Sequence, residues 1–457
     1  MTVRRIATIL CMAVFSLAPA SRARGVDPSV QELFKTVQPM TDDLARYRYL
    51  TGAIRKLPTD DQMVARQLLA TTENELGMYA EALSEFPIDS RKVYTGLVPQ
   101  PGEWQAVSAA EAIARLATDR RIVMVNEAHH DAHTRQLTLA LLPRLRALGF
   151  THIALEALGD RDSGLAARGY PTWNSGSEYV HEPLFGEIVR KAIQLGFVVV
   201  PYDADSDTAQ GRESGQAKNL YERVLAGHPE ARLFVHAGYA HIDKAKGRLG
   251  DALPMAAQLQ ALSGIEPLSI DQTQFREANP RLPLSAYDQI IAAFQPTEPV
   301  VLIHRGDERV RSADAALHDA TVIWSADPAR YNVTVILPSN KNATDEGKQQ
   351  PSWYTLDGQA VPVKSLASTG VRPDWLSLHG QRFPLPINTT LCGHTLPCVV
   401  EAYYLHEPYE AVAADRYAFL QSNTESTLFL FPGSYRMRAK DADGKMLSEQ
   451  TVSIRER

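Results

Sequence analysis

The feature that most constrains this chain is a series of short, largely apolar runs, each separated from the next by a stretch with helical spacing. Residues 121–125 (RIVMV), 151–155 (THIAL), 197–200 (FVVV) and 232–235 (RLFV) are too short for buried helices and do not alternate as a half-solvated strand would. Continuous apolar runs of this length fit strands buried on both faces. Between them, segments 134–148, 183–195 and 213–225 read as helices, and Gly149 and Gly196 stand where a helix end favours a left-handed residue. Residues 266–270 and 300–303 are candidates for two more strands. Strands alternating with helices predict an α/β fold, a mainly parallel sheet covered by helices.

The flanks differ in texture. A chain of 457 residues with 44% hydrophobic and 22% charged residues has room for two or three domains with ordinary cores. Residues 27–95 read as a helical segment, with apolar residues at helical spacing in 30–34 and 63–69 and a faint likeness in 73–86 to a single tetratricopeptide helix pair. Pro99, Pro101 and Gly102 mark a boundary, and the α/β domain is expected over 96–310. Residues 331–337, 401–405 and 426–431 read as strands, Pro432-Gly433 and Asp443-Gly444 as turns, so 331–457 is expected to form a C-terminal antiparallel β-sandwich domain. At the other end, Arg4 and Arg5 precede an apolar run to Leu17 and the small-residue end Ala18-Pro19-Ala20. That is the pattern of a signal peptide over 1–20, too short to span a bilayer, and it predicts an exported protein, periplasmic or secreted, with no transmembrane segment after cleavage. Cleavage removes two arginines and no acid, which moves the net charge from −6 to −8 and gives no reason to expect nucleic acid as a partner. Cys392 and Cys398 then remain and read as a small disulfide loop in an oxidising compartment.

Ligands of open parallel sheets bind outside the carboxyl ends of the strands, and here those ends are ionisable. The first strand runs into Asn126-Glu127-Ala128-His129-His130-Asp131-Ala132-His133, the second into Glu156, the third into Tyr202-Asp203, the fourth into His236-Ala237-Gly238-Tyr239-Ala240-His241, and the last into His304-Arg305. If the strands run as read, these groups share one rim. His129 and His133 are four apart, so a helical start would put them on one face. Glu156 follows a buried strand and needs either a functional partner or a structural arginine. Arg212 can hold an anionic substrate group or pair with Glu156 or Asp203. Gly238 would serve unusual backbone angles or a close approach to a ligand. Asp203, Asp205 and Asp207 imitate the start of a calcium loop, but Thr208 and Ser214 stand where that loop needs glycine and glutamate. No G-x-S-x-G elbow, phosphate-binding loop, dinucleotide fingerprint or H-E-x-x-H is present.

Taken in order, Glu127 with His129, Glu156, Arg212-Glu213, and Gly238 with His241 resemble the superfamily of erythromycin esterases, ChaN-like haem-binding lipoproteins and TraB/Tiki proteins, over about residues 95–305. His133 is similar to the second histidine of the ChaN-like version. Asn126 departs from the glycine usual there, which would tighten that turn or alter oxyanion or metal geometry. The resemblance implies a hydrolase of ester or amide bonds, with water activated by His129 or His241 and oriented by Glu127 or Glu156. Tyr239, Arg212 and Asp203 would contact a small-molecule or peptide substrate. It also implies two alternatives for cofactors: a divalent metal (zinc, manganese or iron) on His129, His133, Glu156 and His241, or haem with Tyr202, Tyr239 and the histidines as axial candidates. A third reading is a non-catalytic scaffold that binds a protein partner through 27–95 or 331–457.

Overall fold

The computed structural model describes residues 28–86, 94–277, 285–305, 322–339, 352–356, 359–363 and 370–456, so the expected signal peptide at 1–20 lies outside the described residues. Four helices come first: α1 (Pro28–Val37), α2 (Asp43–Ile54), α3 (Thr59–Glu75) and α4 (Tyr79–Glu85). The α/β unit follows as β1 (Trp104–Ser108), α5 (Ala109–Leu116), β2 (Ile122–Glu127), α6 (Gln136–Ala147), β3 (His152–Leu155), α7 (Pro183–Gln194), β4 (Val198–Pro201), α8 (Ala209–Leu220), β5 (Leu233–Gly238), α9 (Met255–Ser263), β6 (Leu268–Phe275), α10 (Ala286–Phe294), β7 (Val300–His304) and β8 (Val333–Ile336).

These strands build one eight-stranded sheet in the order β1-β7-β8-β6-β2-β5-β3-β4. From β8 to β4 every pairing is parallel. Alternation within each run assigns side chains to two cores: Val123, Val125, Ile153, Leu155 and Phe234 pack with α5, α6 and α7, whereas Ile122, Met124, Ala154, Leu233 and Val235 pack with α8 and α9. Both faces are dry, which is why the runs carry no polar alternation. The register sets Glu127 opposite Gly238 and Leu155 opposite His236, so the carboxyl ends of β2, β3 and β5 are level on one rim.

Two expectations are corrected at the far edge. β7 runs antiparallel to both β1 and β8, so His304 pairs with Trp104 at the opposite rim and Arg305 turns back to Glu103 and Pro101. The strand expected at 331–337 as the start of the β-domain instead pairs parallel with β6 and completes the α/β sheet.

After a two-stranded hairpin of β9 (Ser352–Leu356) and β10 (Gln359–Val363), the C-terminal region is antiparallel. One sheet pairs β11 (Phe383–Asn388) with β14 (Glu425–Leu430), and the other runs β13 (Asp415–Phe419), β12 (Cys398–Tyr404), β15 (Gly433–Asp441), β16 (Met446–Ile454). Ile387, Leu428 and Leu430 from the first share a core with Val399, Val400 and Tyr417 from the second. Gly444, at φ +79°, makes the turn between β15 and β16 that the sequence signalled. Cys392 and Cys398 are disulfide-bonded with Cα atoms 5.9 Å apart. Among the described residues no helix is long and apolar enough to cross a membrane.

The N-terminal helices are tied into both units. Leu44, Leu76 and Met78 enter the C-terminal core, Arg416 reaches the Asp43 carboxylate, and the Tyr79 hydroxyl donates to Glu182 at 2.7 Å. The side chain of Asn74 donates to the His129 carbonyl at 3.2 Å and accepts from the Ala132 N–H at 3.1 Å, so α3 is pinned to the loop that leaves β2.

Candidate active site

Glu127 ends β2 with its side chain almost fully enclosed, and an ion left alone there would cost several kcal/mol. It is not alone. Its Oε2 accepts from Arg135 Nε at 2.6 Å and lies 2.9 Å from His236 Nε2, while its Oε1 lies 2.8 Å from His129 Nδ1. Burial acts to raise the pKa of Glu127, but Arg135, His236 and His129 outweigh it and hold the carboxyl well below its usual range. Arg135 is itself wholly buried and donates onward to Glu182 at 2.7 Å. Glu182 caps α7 through the Leu184 and Phe185 N–H groups. A rigid chain, Tyr79–Glu182–Arg135–Glu127, therefore orients one imidazole. His129 turns Nδ1 to the carboxylate, which leaves Nε2 on the side of the ring away from Glu127. Its ring lies flat on Tyr179, with centroids 4.1 Å apart and planes 2° from parallel.

The second half of the site faces that nitrogen. Glu156 Oε1 accepts from Arg212 at 2.7 Å and stands 3.3 Å from His241 Nε2, and its Oε2 accepts from the Gly238 backbone N–H. Arg212 also grips Asp203 with two bonds of 3.0 Å, and Gln216 donates to Asp203 at 2.7 Å. Of the two roles open to Arg212 in the sequence, the structure therefore shows the pairing with Glu156 and Asp203. Burial disfavours ionised Glu156, but His241 and Arg212 hold its pKa well below the usual range. His241 sits with Nδ1 2.6 Å from Glu213 and Nε2 against Glu156. Burial pulls its pKa down, yet Glu213 and Glu156 together push it up to about 10, which favours the charged ring. Its place between two carboxylates suits a fixed cation better than a base.

Gly238 is needed for space and not for an unusual φ. A Cβ built there would stand 2.7 Å from His129 Cε1, closer still to His129 Nε2, and 3.1 Å from Glu156 Oε2. The positive φ of this loop falls instead on Tyr239, at +40°. Asn126, the departure from glycine, holds that strained residue. Its Nδ2 donates to the Tyr239 carbonyl at 2.6 Å and to Asp271 at 2.7 Å, and its Oδ1 accepts the Gln272 N–H at 2.9 Å. Asn126 is a stitch between β2, β6 and the Tyr239 turn, so neither its amide nor its carbonyl is open to an oxyanion or a metal.

His133 leaves the group in which the sequence placed it. The chain turns at Ala128–Asp131, and residues 132–135 form a 3-10 turn, so His129 and His133 do not share a helix face. The His133 ring stacks on Trp375 at 4.7 Å, and burial pulls its pKa down to about 3. The set His129, His133, Glu156 and His241 therefore does not close round an ion. The donors left each have partners already, Glu127 in Arg135 and Glu156 in Arg212, and among the described residues they do not come together as a set of three close enough to hold an ion. Three ligand atoms within 4.8 Å of one another do occur on Asp43, Glu75 and His181. There Arg46 reaches Asp43 and Glu75, Arg416 reaches Asp43, and His181 Nδ1 lies 3.3 Å from Asp43, which makes the group a buried ion network. As for haem, Tyr202 is buried and donates to the His236 carbonyl at 3.2 Å, so it does not fit an axial role, while Tyr239 lines the cleft with His130 Nδ1 3.0 Å from its Oη.

His129, Glu156, Asp203, Arg212 and Tyr239 line one cleft of about 1050 Å³, roofed by Phe34, Val37, Leu68 and Phe86 of the N-terminal segment. Sequence reasoning missed Arg135, Glu182 and Tyr179. Arg135 did leave a signal, a cation at the start of a helix, where the macrodipole favours acids. Tyr179 and Glu182 left none, since their roles come from a loop folding back over β2.

No family model matches the chain, and no curated protein matches it. Among solved structures, two described as bacterial protein toxins align at 17% and 16% identity, each over 56% of this chain and 68% of that one, with a TM-score of 0.28. RRSP, a MARTX toxin effector domain from Vibrio vulnificus CMCP6, aligns at 18% identity over 53% of this chain and 66% of its own, with a TM-score of 0.26. Likeness of that degree carries nothing to this chain's activity.

Proposed function

We propose that this protein is an exported hydrolase of the erythromycin-esterase-like superfamily that cleaves an ester or amide bond with a histidine base and no metal. The observation that carries the reading is His129, with Nδ1 fixed on the ionised Glu127 carboxylate and Nε2 turned to the cleft beside Gly238 and Glu156. In this reading Nε2 takes a proton from water as the water oxygen bonds to the substrate carbonyl carbon, and the carbonyl π electrons move to its oxygen. Collapse of the tetrahedral species expels the alcohol or amine, which leaves with the proton held on His129. Glu127 favours the imidazolium formed in between, as an orienting acid does in other histidine-based sites. Arg135 and His236 keep that acid ionised, while Glu156, ionised by Arg212 and His241, anchors the Gly238 turn.

The test is hydrolysis of p-nitrophenyl butyrate and of an acyl-p-nitroanilide by the purified full chain, with and without EDTA. Turnover that survives EDTA and falls at least about 10²-fold in His129→Ala supports the reading. Turnover equal in the variant, or lost to EDTA and restored by zinc, overturns it. Export rests on the leader pattern at 1–20 and the Cys392–Cys398 bond. It is checked by cell fractionation of the full chain against one lacking residues 1–20.

A further inference from the structure

Tyr239 has a polar environment that its place in the cleft does not require. Its Oη lies 3.0 Å from His130 Nδ1. The other nitrogen of His130, Nε2, is 3.3 Å from Arg276 Nη2. A guanidinium has only donors, so His130 Nε2 must accept. Burial, with Arg276 and His129 nearby, pushes the His130 pKa well below its usual value, so the ring carries a single proton. With Nε2 accepting, that proton is on Nδ1 and is donated to Tyr239 Oη. The imidazole is also clamped flat on Phe86, with centroids 3.5 Å apart and planes 4° from parallel, and it is nearly inaccessible. The phenol oxygen therefore accepts from one side, and its own O–H has to point elsewhere. Among the described residues Tyr239 Oη has no other side-chain hydrogen-bond partner, and Tyr239 lines the cleft with its ring edge-on to His129, centroids 5.3 Å apart.

From this geometry we infer that Tyr239 is a second catalytic residue, whose hydroxyl donates to the substrate oxygen that becomes negative, with Arg276 and His130 as positioning residues that fix the direction of its proton. The inference rests on the hydrolase reading for its substrate class, an acyl compound whose carbonyl oxygen turns toward Tyr239 while its carbon faces the water on His129. It explains why a non-glycine residue is held at φ +40° by Asn126: strain of about 1–3 kcal/mol persists where the surroundings over-determine it. It also gives His130 a role that its inaccessible ring cannot have as a base. Burial drives the Tyr239 pKa upward, against Arg276, so the phenol keeps its proton at working pH.

Two measurements on the folded full chain test this without turnover. In long-range ¹H–¹⁵N spectra, His130 is expected with Nδ1 protonated and Nε2 bare; the opposite tautomer overturns the relay. Butylphosphonate, a tetrahedral anion, is expected to bind the wild type at least about 10-fold more tightly than Tyr239→Phe, a substitution that keeps the ring and removes only the donor. Equal affinities, or no binding to the wild type, overturn the inference. With p-nitrophenyl butyrate, Tyr239→Phe is expected to lower kcat by about 10²–10³-fold with KM little changed, the scale of one lost oxyanion donor; a rise in KM alone overturns it. If the wild type hydrolyses nothing, the hydrolase reading fails on its own, while the tautomer and phosphonate results still judge Tyr239.

Discussion

Substituting Gly238 by alanine adds one methyl group at the point where the two halves of the site touch. The φ of Gly238 is outside the left-handed region, so alanine suits the backbone, and by restricting the unfolded chain it would gain about 0.4–1 kcal/mol. Against that stands the methyl group itself, 2.7 Å from His129 Cε1 and 3.1 Å from Glu156 Oε2. His129 cannot yield by turning, because Tyr179 covers one face of the ring and Glu127 holds Nδ1. Glu156 cannot yield without leaving Arg212. Overpacking at such a point costs about 1–3 kcal/mol, so the net expectation is destabilisation of about 1–2 kcal/mol, read from urea unfolding. Displacement of His129 by about 1 Å is expected to cost about 10²-fold in kcat/KM on p-nitrophenyl butyrate. A Gly238→Ala protein with full turnover and stability raised by the backbone contribution alone would refute the claim that this glycine exists to let His129 approach Glu156.

Three further outcomes follow from the charges and the covalent link. Glu127→Gln replaces an acceptor of several donors by an amide whose NH₂ must face Arg135 or one of two histidines; it is expected to destabilise by about 3–5 kcal/mol and lower kcat by about 10⁴, and a stable, active variant would contradict the orienting role. His241, raised to about 10 when folded from about 6.5 unfolded, contributes stability that is complete below about pH 6.5 and is lost as pH rises toward 10; His241→Gln should flatten wild-type stability loss between pH 7 and 10, and an unchanged slope counts against the Glu213–His241–Glu156 arrangement. Replacing Cys392 and Cys398 together by serine opens a short loop in the C-terminal core and is expected to cost about 2 kcal/mol; an unfolding midpoint insensitive to reductant in the wild type would contradict it.

The parallel sheet was legible because burial on both faces removes polar residues from its strands, and β2, β3 and β5 have no other way to be so uniform. The rim at Glu127, His129, Glu156, Arg212 and His241 followed from the same reading, since strand ends in a parallel sheet align without any knowledge of side-chain packing. What failed was direction and pairing. Nothing in residues 300–304 distinguishes a parallel from an antiparallel edge strand, so His304 was placed on the wrong rim. His133 was misplaced because a helical spacing of four was assumed across a turn that Asp131 caps through the His133 N–H. Arg135 and Glu182 were invisible as partners because their contacts span 47 residues of sequence and depend on how α7 docks.

The acids of this rim are each committed to charged partners. Each of the two buried glutamates has its own guanidinium, Glu127 with Arg135 and Glu156 with Arg212, and each also meets a histidine. Such pairing keeps both acids ionised in a dry environment, but it uses the lone pairs that a divalent ion would need. The cleft is lined by several polar groups, Asp203, Arg212 and His181 among them; the two that the proposed reading uses are His129 Nε2, as acceptor, and the Tyr239 hydroxyl, as donor. Under the proposed reading those two suffice, because hydrolysis of an acyl bond needs a proton removed from water and a hydrogen bond delivered to the carbonyl oxygen. The rest of the network, from Tyr79 to Arg135 on one side and from Arg276 to His130 on the other, fixes the direction of each. Loosening either side is therefore expected to reduce kcat more than KM, since both groups would be held for the transition state and not for the resting substrate.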